Sequence, residues 1–397
     1  MQMEANKRLL IVQYAGDYRE TFKQVRENGI ETYHAQKYVI DSINDISQEI
    51  EEAILMCCQT TEKYNTLLQP GIRAVGAAVD PFKQSQEICQ IIAELNPTHL
   101  VVHSPIPAIF SWAIKKRVKT MALLADSFLH RGLRNRIKNS LLAAKLNNPH
   151  IEWVANHGVN SCLSLQNIGV NPNKIIPWDW PHFKTPDEFT PKTLPSTDVW
   201  NLVYVGAVVP SKGVGEIFEA LAILREQNIT AKLHIAGKGD IDYFINKSQQ
   251  LGIQDNINFL GLVPHNEVID LMRQAHLVIV PSWHEYPEGL PLTIYEALCA
   301  RTPIVASDHP MFRRNLEDGI SAVIFPARDS KMLANSIHKL ISNPELYYSV
   351  SFASLKSWKQ LQLPVKWAKL IYTWLNNSQH DRNWLYENNL TSGRYKY

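Results

Sequence analysis

Short apolar runs alternate with longer stretches of helical period through most of the chain. In the second half the apolar runs are NLVYVGA, KLHIAGK, INFLGLV, HLVIVPS, TPIVAS and AVIFP. Runs that are apolar at consecutive positions indicate strands buried on both faces, and the helical stretches between them indicate crossovers. This half is therefore predicted to contain a parallel sheet covered by helices.

The first half shows the same alternation less regularly. Strands are predicted at LLIVQYA, THLVVHS, KTMALLA and IEWVANH, and helices over 45–57, 84–95 and 129–146. Between the halves, the stretch 177–200 contains five prolines and no hydrophobic period, which is typical of a linker. Both halves are thus predicted to be α/β domains joined by one linker.

The resulting fold prediction is a protein of two Rossmann-like domains. Its parts are an N-terminal domain over 1–180, a linker over 181–199, a second domain over 200–365, and a C-terminal helix and tail over 366–397 that packs toward the first domain. Open α/β sheets bind ligands beyond the carboxyl ends of their strands. The two parallel sheets are therefore expected to face each other across a cleft where the substrates meet.

Composition and charge narrow the class of protein. The chain has 397 residues, is 45% hydrophobic and carries a formal net charge of +2. This length accommodates two cores, and so small a net charge argues against a nucleic-acid binder. The cysteines lack metal-ligand spacing, the start lacks a signal-peptide pattern, and no apolar stretch is long enough to span a bilayer. A cytoplasmic enzyme is the expected class.

The segment PEGLPLTIYEAL places two carboxylates around a predicted helix start. Pro291 favours the first helical position, so a helix over 291–300 is expected after the loop that holds Glu288. Free N–H groups at this helix start favour an anion, and carboxylates accept hydrogen bonds from sugar hydroxyls. Glu288 and Glu296 are therefore candidates for binding a nucleotide sugar. The alternative is that Glu288 is a solvated first-turn acid and Glu296 a surface residue.

Two glycine-containing loops are expected at the same edge of the second sheet. Lys212 lies in VGAVVPSKGV, after the first strand of the second domain, where a loop cation could meet a diphosphate. Gly237 lies in IAGKGD, which shapes the edge of the same site. This loop is not a G-x-G-x-x-G motif and does not indicate a dinucleotide oxidoreductase.

Three parts of the second domain together resemble a known family. Residues 206–213, the HIAGKG loop and the segment VIVPSWHEYPEGLPLTIYEALCARTPIVASD resemble the retaining GT-B glycosyltransferases of glycosyltransferase family 4, the group 1 type. The resemblance covers nearly all of the second domain. It implies a GT-B fold and transfer of a hexosyl unit from a nucleoside-diphosphate sugar to a hydroxyl acceptor, with retention of anomeric configuration. It also implies a reaction without metal or cofactor, the nucleotide sugar being a substrate.

The resemblance also assigns roles to residues of the second domain. Glu296 is expected to hold the ribose hydroxyls, Glu288 to contact the transferred sugar, and Lys212 to pair with the diphosphate. Glu288 and Lys212 are thus the candidate catalytic residues. Further donor contacts are expected from Gly237 and from the backbone of Gly289, Leu290, Pro291 and Leu292.

One position departs from the family pattern. Ala207 stands where relatives usually carry an arginine, and the candidates to replace that cation are Arg313, Arg314 and Lys238. The departure raises the alternative of a non-catalytic relative that binds a nucleotide sugar or a partner protein. A sugar-nucleotide epimerase on the same fold is a second alternative. A phosphorylase is disfavoured because a cofactor lysine motif is not found.

In the first domain the resemblance is weaker and depends on loops at strand ends. Gly16 in YAGDYRE is expected to approach the donor phosphates, and His103 and Asp126 are candidates for the acceptor side. Many relatives have a histidine where Asp126 falls. The alternative for His103 and Asp126 is a strand-end side chain bonded to nearby backbone.

A basic stretch runs from Trp112 to Lys145 and holds nine lysines or arginines and one acid. Apolar residues recur in it every four positions, which predicts a helix with one apolar and one basic face: Leu129, Leu133, Ile137 and Leu141. Two interpretations stay open, a docked surface helix or a contact with an anionic membrane surface. The membrane contact suits a lipid-linked glycan as acceptor, in polysaccharide or glycolipid assembly. It also suits a peripheral location at the inner membrane surface.

Overall fold

The structure of the protein is a computed structural model that describes residues 7–29, 31, 34–128 and 132–395. Contacts within the chain divide it into two compact units. Unit 1 contains the described residues of 1–31, 35–181 and 363–397. Unit 2 contains His34 and residues 182–362.

Unit 1 is built on one eight-stranded sheet. Its strands are β1 (Arg8–Ala15), β2 (Glu52–Gln59), β3 (Tyr64–Gln69), β4 (Ile72–Gly76), β5 (His99–Val102), β6 (Lys119–Leu124), β7 (Ile151–His157) and β8 (Ile175–Trp178). They lie in the order β3-β4-β2-β1-β5-β6-β7-β8, with β3 antiparallel to β4 and every other pair parallel. The accompanying helices are α1 (Tyr18–Asn28), α2 (Gln36–Ser47), α3 (Ser85–Leu95), α4 (Pro107–Lys116), α5 (Leu133–Leu146) and α6 (Val159–Asn167).

Both faces of this sheet are buried. Leu10 and Val12 of β1 pack into a hydrophobic cluster with residues of α3 and α4, whereas Leu9 and Ile11 pack into a second cluster with residues of α2. Successive side chains of a strand point to opposite faces, so consecutive apolar residues are needed when helices cover both. The continuous apolar runs of the sequence have this physical cause.

Unit 2 is built on a six-stranded parallel sheet. Its strands are β9 (Val199–Val205), β10 (Thr230–Ala236), β11 (Ile257–Gly261), β12 (Leu277–Val280), β13 (Ile304–Ser307) and β14 (Val323–Phe325), in the order β11-β10-β9-β12-β13-β14. Its helices are α7 (Val214–Glu226), α8 (Ile241–Gln250), α9 (His265–Gln274), α10 (Leu292–Cys299), α11 (Ser330–Ile341) and α12 (Pro344–Leu361). The prediction of two α/β domains with parallel sheets is confirmed.

The chain returns to unit 1 after α12. Two further helices, α13 (Trp367–Asn376) and α14 (Gln379–Glu387), belong to unit 1. Trp367, Leu370 and Ile371 are fully buried in the same hydrophobic cluster as Leu9 and Ile11 of β1. Full burial of such a side chain stabilises a protein by roughly 1.5–3 kcal/mol. Helix α13, within the segment predicted over 366–397, is therefore part of the core of unit 1.

The linker predicted over 181–199 is not a separate segment, because the structure places residues 182–199 in unit 2. The stretch contains a short 3-10 helix, Pro186–Glu188, which is closed by a capping box. Lys192 donates hydrogen bonds from Nζ to two carbonyl oxygens at the C-terminal end of α9. Phe189 and Leu194 also pack against the core of unit 2, but such isolated apolar residues leave no hydrophobic period, so the sequence did not distinguish the stretch from a linker.

The helix predicted over 45–57 is wrong. In the structure α2 ends at Ser47, and β2 begins at Glu52 and is almost entirely buried. The apolar run EAILMCC fits either a buried strand or a buried helix, because periodicity does not separate the two over so short a length. Pairing of β2 with β1 and β4 decides for the strand.

Candidate functional site

An ion pair between Lys212 and Glu288 lies beyond the carboxyl ends of the adjacent strands β9 and β12. Lys212 ends the 3-10 turn that follows β9, and Glu288 lies in the loop between β12 and α10. Lys212 Nζ is 2.5 Å from Glu288 Oε1, and the two side chains are only 13% and 7% exposed. The hydroxyl of Ser282 donates a hydrogen bond to the same oxygen at 2.7 Å. Two donors therefore fix the position of one buried carboxylate.

Aromatic rings surround this ion pair. The ring centroid of Tyr286 lies 4.4 Å from Lys212 Nζ, a cation–π distance. His309 Nδ1 accepts from the Met311 N–H at 3.2 Å, and His309 Nε2 lies 3.1 Å from the Tyr286 carbonyl oxygen, to which it donates. Burial lowers the pKa of His309, which agrees with this neutral tautomer. Lys212 is thus the cation of the cluster.

Glycines allow the loops beside Lys212 to approach one another closely. A Cβ atom at Gly237 would overlap the carbonyl oxygen of Gly206, and one at Gly213 would overlap that of Pro281. Backbone hydrogen bonds join the loops that follow β9 and β10. Gly237, predicted as a donor contact, therefore has a packing role, since only glycine fits between two backbones at this separation.

The helix that follows Glu288 begins one residue later than predicted. Pro291 has extended ψ and is the N-cap of α10 rather than its first helical residue. The predicted backbone contacts form the continuous segment before and at this helix start: Gly289, Leu290, Pro291 and Leu292. Glu296 is the fifth residue of α10 and is 9% exposed, and Glu288 is 6% exposed. The alternative of solvated surface carboxylates is therefore wrong for both residues.

Two histidines that the sequence analysis did not single out lie next to Glu296. His265 is the first residue of α9, and its Nδ1 lies 3.3 Å from Glu296 Oε1. His34 Nδ1 lies 2.8 Å from His265 Nε2. The sequence offered one signal for His265, because it follows β11 at the sheet edge where the other candidate residues lie. His34 lies far away in sequence, and no motif indicated it.

The position of the missing arginine is exposed. The Ala207 carbonyl accepts a hydrogen bond from the Tyr204 hydroxyl at 2.6 Å, which fixes the loop. The three candidate replacement cations are also exposed: Arg313, Arg314 and Lys238. The structure thus leaves room at Ala207 for a larger side chain and favours no single replacement.

Three candidate residues of unit 1 follow neighbouring strands of its sheet. Gly16 follows β1, His103 follows β5, and Asp126 follows β6, and these strands are adjacent in the order β1-β5-β6. Burial lowers the pKa of His103 to about 4 and raises the pKa of Asp126 to about 6. The Trp367 indole N–H donates to His103 Nε2 at 3.2 Å, as a neutral imidazole allows. His103 is therefore held by a distant part of the chain rather than by nearby backbone.

Helix α5 exposes apolar and basic side chains together. Leu133, Ile137 and Leu141 are 77%, 55% and 61% exposed, so the predicted apolar stripe is not the face that packs on unit 1. The packed face consists of Asn139, Leu142, Ala143 and Leu146. Exposed basic residues accompany the stripe: Arg134, Arg136 and Lys138. The structure gives the helix as Leu133–Leu146, and Leu129 of the predicted stripe lies outside the described residues.

Among the described residues, every helix is too short or too polar to cross a bilayer.

Comparison with known families matches residues 187–353 to the family described as Glycosyl transferases group 1. This segment contains Lys212, Glu288 and Glu296. Over 137 residues the chain is 35% identical to phosphatidyl-myo-inositol mannosyltransferase of Mycobacterium leprae, a match that covers 34% of this chain and 36% of that protein. The chain spans little more than a third of the length of the curated relatives it matches. The predicted resemblance to group 1 glycosyltransferases is confirmed.

Solved structures are similar over more of the chain. Sucrose-phosphate synthase from Thermosynechococcus elongatus has a TM-score of 0.64 at 15% identity, covering 90% of this chain and 95% of that one. Anabaena Alr3699/HepE in complex with UDP and glucose has a TM-score of 0.63 at 15% identity, with the same 90% and 95% coverage. At this identity the likeness shows the fold, and the predicted GT-B architecture is confirmed at that level.

Proposed function

We propose that the protein is a glycosyltransferase that moves a hexosyl unit from a nucleoside-diphosphate sugar to a hydroxyl acceptor in polysaccharide or glycolipid assembly. The observation that carries the proposal is the buried Lys212–Glu288 pair just before α10, within the segment that matches group 1 glycosyltransferases. The structural likeness to a protein solved with UDP and glucose supports a nucleotide sugar as the donor class.

Glu296 is the residue proposed to hold the donor ribose. Its carboxylate lies on the buried helix α10 and is therefore held in position by the packing of that helix. A carboxylate accepts hydrogen bonds from two neighbouring hydroxyls at once, which is the pattern that a ribose offers. The start of the same helix supplies free N–H groups for an anion, so ribose and diphosphate would be bound by one element.

Lys212 is proposed to neutralise the negative charge that develops on the departing nucleoside diphosphate. Its ammonium group is already positioned by Glu288 and Tyr286, so little reorganisation is required during the reaction. The N–H groups between Gly289 and Leu292 add hydrogen-bond donors at the same edge. In this proposal the protein's own cation and dipoles serve the leaving group, and the reaction includes no catalytic metal or cofactor.

Glu288 is proposed to orient the transferred sugar rather than to attack it. Its Oε1 atom is already bonded to Lys212 and Ser282, which leaves Oε2 to accept from a sugar hydroxyl. Retention of configuration is proposed to occur through attack of the acceptor on the same face as the departing diphosphate. No residue of the enzyme is assigned as nucleophile.

The acceptor side is proposed to lie in unit 1, at the sheet edge of Gly16, His103 and Asp126. A carboxyl group with a pKa of about 6 is close to the range in which general bases work, so Asp126 could accept a proton from a hydroxyl. His103 stays neutral at physiological pH because its pKa is about 4. Its proposed role is therefore hydrogen bonding rather than charge.

Helix α5 is proposed to contact an anionic membrane surface from the cytoplasmic side. Its exposed Leu133, Ile137 and Leu141 would enter the interface while the neighbouring basic residues meet lipid headgroups. Each basic residue near such a surface contributes about 1 kcal/mol. This placement suits a lipid-linked glycan as acceptor.

A nucleotide panel tests the donor site. Thermal shifts are measured with UDP, GDP, ADP and their common sugars, because a ligand of the folded state raises the melting temperature by mass action. A shift confined to one base, lost in Glu296→Gln and kept in the exposed control Glu226→Gln, is expected. Absence of a shift with every nucleotide would reject the donor site. Release of sugar from a radiolabelled donor then separates an enzyme from a binding protein.

The alanine at position 207, where relatives usually carry an arginine, favours one second candidate, a nucleotide-sugar-binding relative with weak or no turnover. Ala207→Arg restores the usual cation without a steric obstacle, because Ala207 is exposed. An enzyme is expected to release sugar from the donor before and after this change. A binding protein is expected to show a higher melting temperature with the nucleotide and to release no sugar from the donor.

A further inference from the structure

Two imidazoles and a carboxylate converge in unit 2, from His34, His265 and Glu296. One candidate ligand atom from each residue lies within 4.8 Å of the other two. His34 Nδ1 is 2.8 Å from His265 Nε2, and His265 Nδ1 is 3.3 Å from Glu296 Oε1. Among the described residues, this is the one group of three histidines, cysteines or acids with such spacing.

We propose that these three side chains bind a divalent transition-metal ion of the Zn²⁺ type. Two histidines and one carboxylate are a ligand set that Zn²⁺ accepts, with a fourth position open to water. Bonds of about 2.0–2.2 Å in a tetrahedral site place ligand atoms roughly 3.3 Å apart. The two short contacts end on different nitrogens of His265, and one ion can bind only one of them. With one ligand atom from each residue the spacings are up to 4.8 Å, so side-chain rotations must bring the three atoms closer together. Mg²⁺ and Ca²⁺ are disfavoured because they prefer oxygen ligands.

Packing holds the three ligands near one another before any ion binds. His265 and Glu296 lie on the helices α9 and α10, with side chains 19% and 11% exposed. The His34 ring lies 4.6 Å from that of His265 and 5.4 Å from that of His182. His182 in turn stacks on Tyr295 at 4.1 Å. Rings constrained in this way lose little conformational freedom when they coordinate an ion.

The same distances also permit a metal-free alternative. A hydrogen-bonded chain from His34 through His265 to Glu296 would satisfy the 2.8 Å and 3.3 Å contacts without an ion. The two possibilities differ in what they need. A hydrogen-bonded chain tolerates the absence of metal in solution, whereas a metal site predicts saturable, stoichiometric binding that depends on all three ligands.

The site has a consequence for the donor, and this consequence rests on the proposed function. If Glu296 holds the donor ribose, a metal-bound Glu296 carboxylate is no longer available to the ribose hydroxyls. The ion and the nucleotide then compete for one carboxylate. Zn²⁺ is therefore expected to act as an inhibitor competitive with the donor rather than as a catalytic metal.

Zinc binding by the intact, untagged chain tests the metal site directly. Zn²⁺ affinity is measured by competition with a chromophoric chelator, and Co²⁺ is used as a spectroscopic probe of the coordination geometry. One ion per chain is expected, with affinity roughly 100-fold lower in His265→Gln and in His34→Asn, because even outer-shell changes cost about 10–100-fold. His338→Ala removes an exposed histidine of α11 and is the matched control. Far-UV circular dichroism verifies that the variants are folded.

Equal zinc affinity in the wild type and the two ligand variants, or no binding in the wild type, overturns the metal site. Nucleotide binding with and without Zn²⁺ then separates the two proposals. A nucleotide Kd that rises in proportion to Zn²⁺ supports competition at Glu296. If zinc binds and the nucleotide also binds, but the nucleotide Kd does not change with Zn²⁺, the competition and the ribose role of Glu296 are overturned while the metal site stands. Zinc binding by a protein that binds no nucleotide rejects the proposed function alone.

Discussion

Removing Lys212 is expected to destabilise the protein more than removing an exposed lysine. In Lys212→Met, the Glu288 carboxylate keeps the Ser282 hydroxyl as a donor but loses its ion-pair partner. Breaking a buried ion pair on one side costs about 3–5 kcal/mol. The low end, about 3 kcal/mol, is expected because both side chains retain some contact with solvent.

Replacing Glu288 is expected to lower the free energy of unfolding less than replacing Lys212 does. Replacing both is expected to lower it by less than the sum of the two single losses. In Glu288→Gln, Lys212 keeps its 4.4 Å contact with the Tyr286 ring, so a loss of about 2 kcal/mol is expected. The double variant leaves no unpaired charge at the site. The double variant is therefore expected to lose about 3 kcal/mol instead of about 5, which is a coupling free energy of about 2 kcal/mol between Lys212 and Glu288.

Urea unfolding of the four proteins measures this coupling. Far-UV circular dichroism and tryptophan fluorescence are followed together, and coincident transitions justify a two-state treatment. Lys184→Met and Asp270→Asn form the control cycle in the same unit. Lys184 Nζ lies 3.0 Å from Asp270 Oδ1, but the two side chains are 35% and 55% exposed, so a coupling free energy of about 0.5 kcal/mol or less is expected. Equal coupling in the two cycles would refute the argument that burial gives the Lys212–Glu288 pair its strength.

Three further predictions address packing, pH dependence and membrane contact. Gly237→Ala is expected to lower the free energy of urea unfolding by several kcal/mol or to make the protein insoluble, because a Cβ would overlap a carbonyl oxygen. The control Gly261→Ala has free space for a Cβ and should lower it by about 1 kcal/mol. Burial raises the pKa of Asp126 to about 6, so its contribution to stability is fully present below about pH 4 and is lost as the pH rises through 6. The free energy of unfolding of Asp126→Asn should therefore equal that of the wild type near pH 4 and exceed it by up to about 2 kcal/mol near pH 8. A variant that is less stable than the wild type at pH 8 would contradict this sign. Leu133→Ser with Ile137→Ser should leave the melting temperature unchanged and reduce sedimentation with anionic vesicles at least about tenfold, whereas unchanged sedimentation would exclude α5 as the contact.

The sequence was sufficient for the architecture and for the main carboxylates. Strands buried on both faces leave continuous apolar runs, so the two parallel sheets were visible as such runs. Lys212 was predicted from its position after the first strand of the second domain, Glu288 from the helix start that follows it, and the roles of both from the family resemblance. The structure adds that these two side chains contact each other, which no spacing in the sequence encodes.

Contacts between distant residues account for what the sequence missed. His34 approaches His265 across more than two hundred positions, and Trp367 donates to His103 across a similar separation. Neither pair leaves a periodic signal, because periodicity records only local geometry. The segment 182–199 was misjudged for a related reason, since its core contacts come from isolated residues such as Phe189 and Leu194 rather than from a periodic apolar face.

The return of the chain to unit 1 after residue 362 has a consequence for synthesis on the ribosome. All described residues of unit 2 have been made once the chain reaches residue 362, whereas unit 1 still lacks Trp367, Leu370 and Ile371 from its core. The domain that is begun first is thus completed last. Until α13 emerges, the apolar surface around Leu9 and Ile11 stays incompletely covered, so unit 1 is the part of the nascent chain most in need of protection by chaperones.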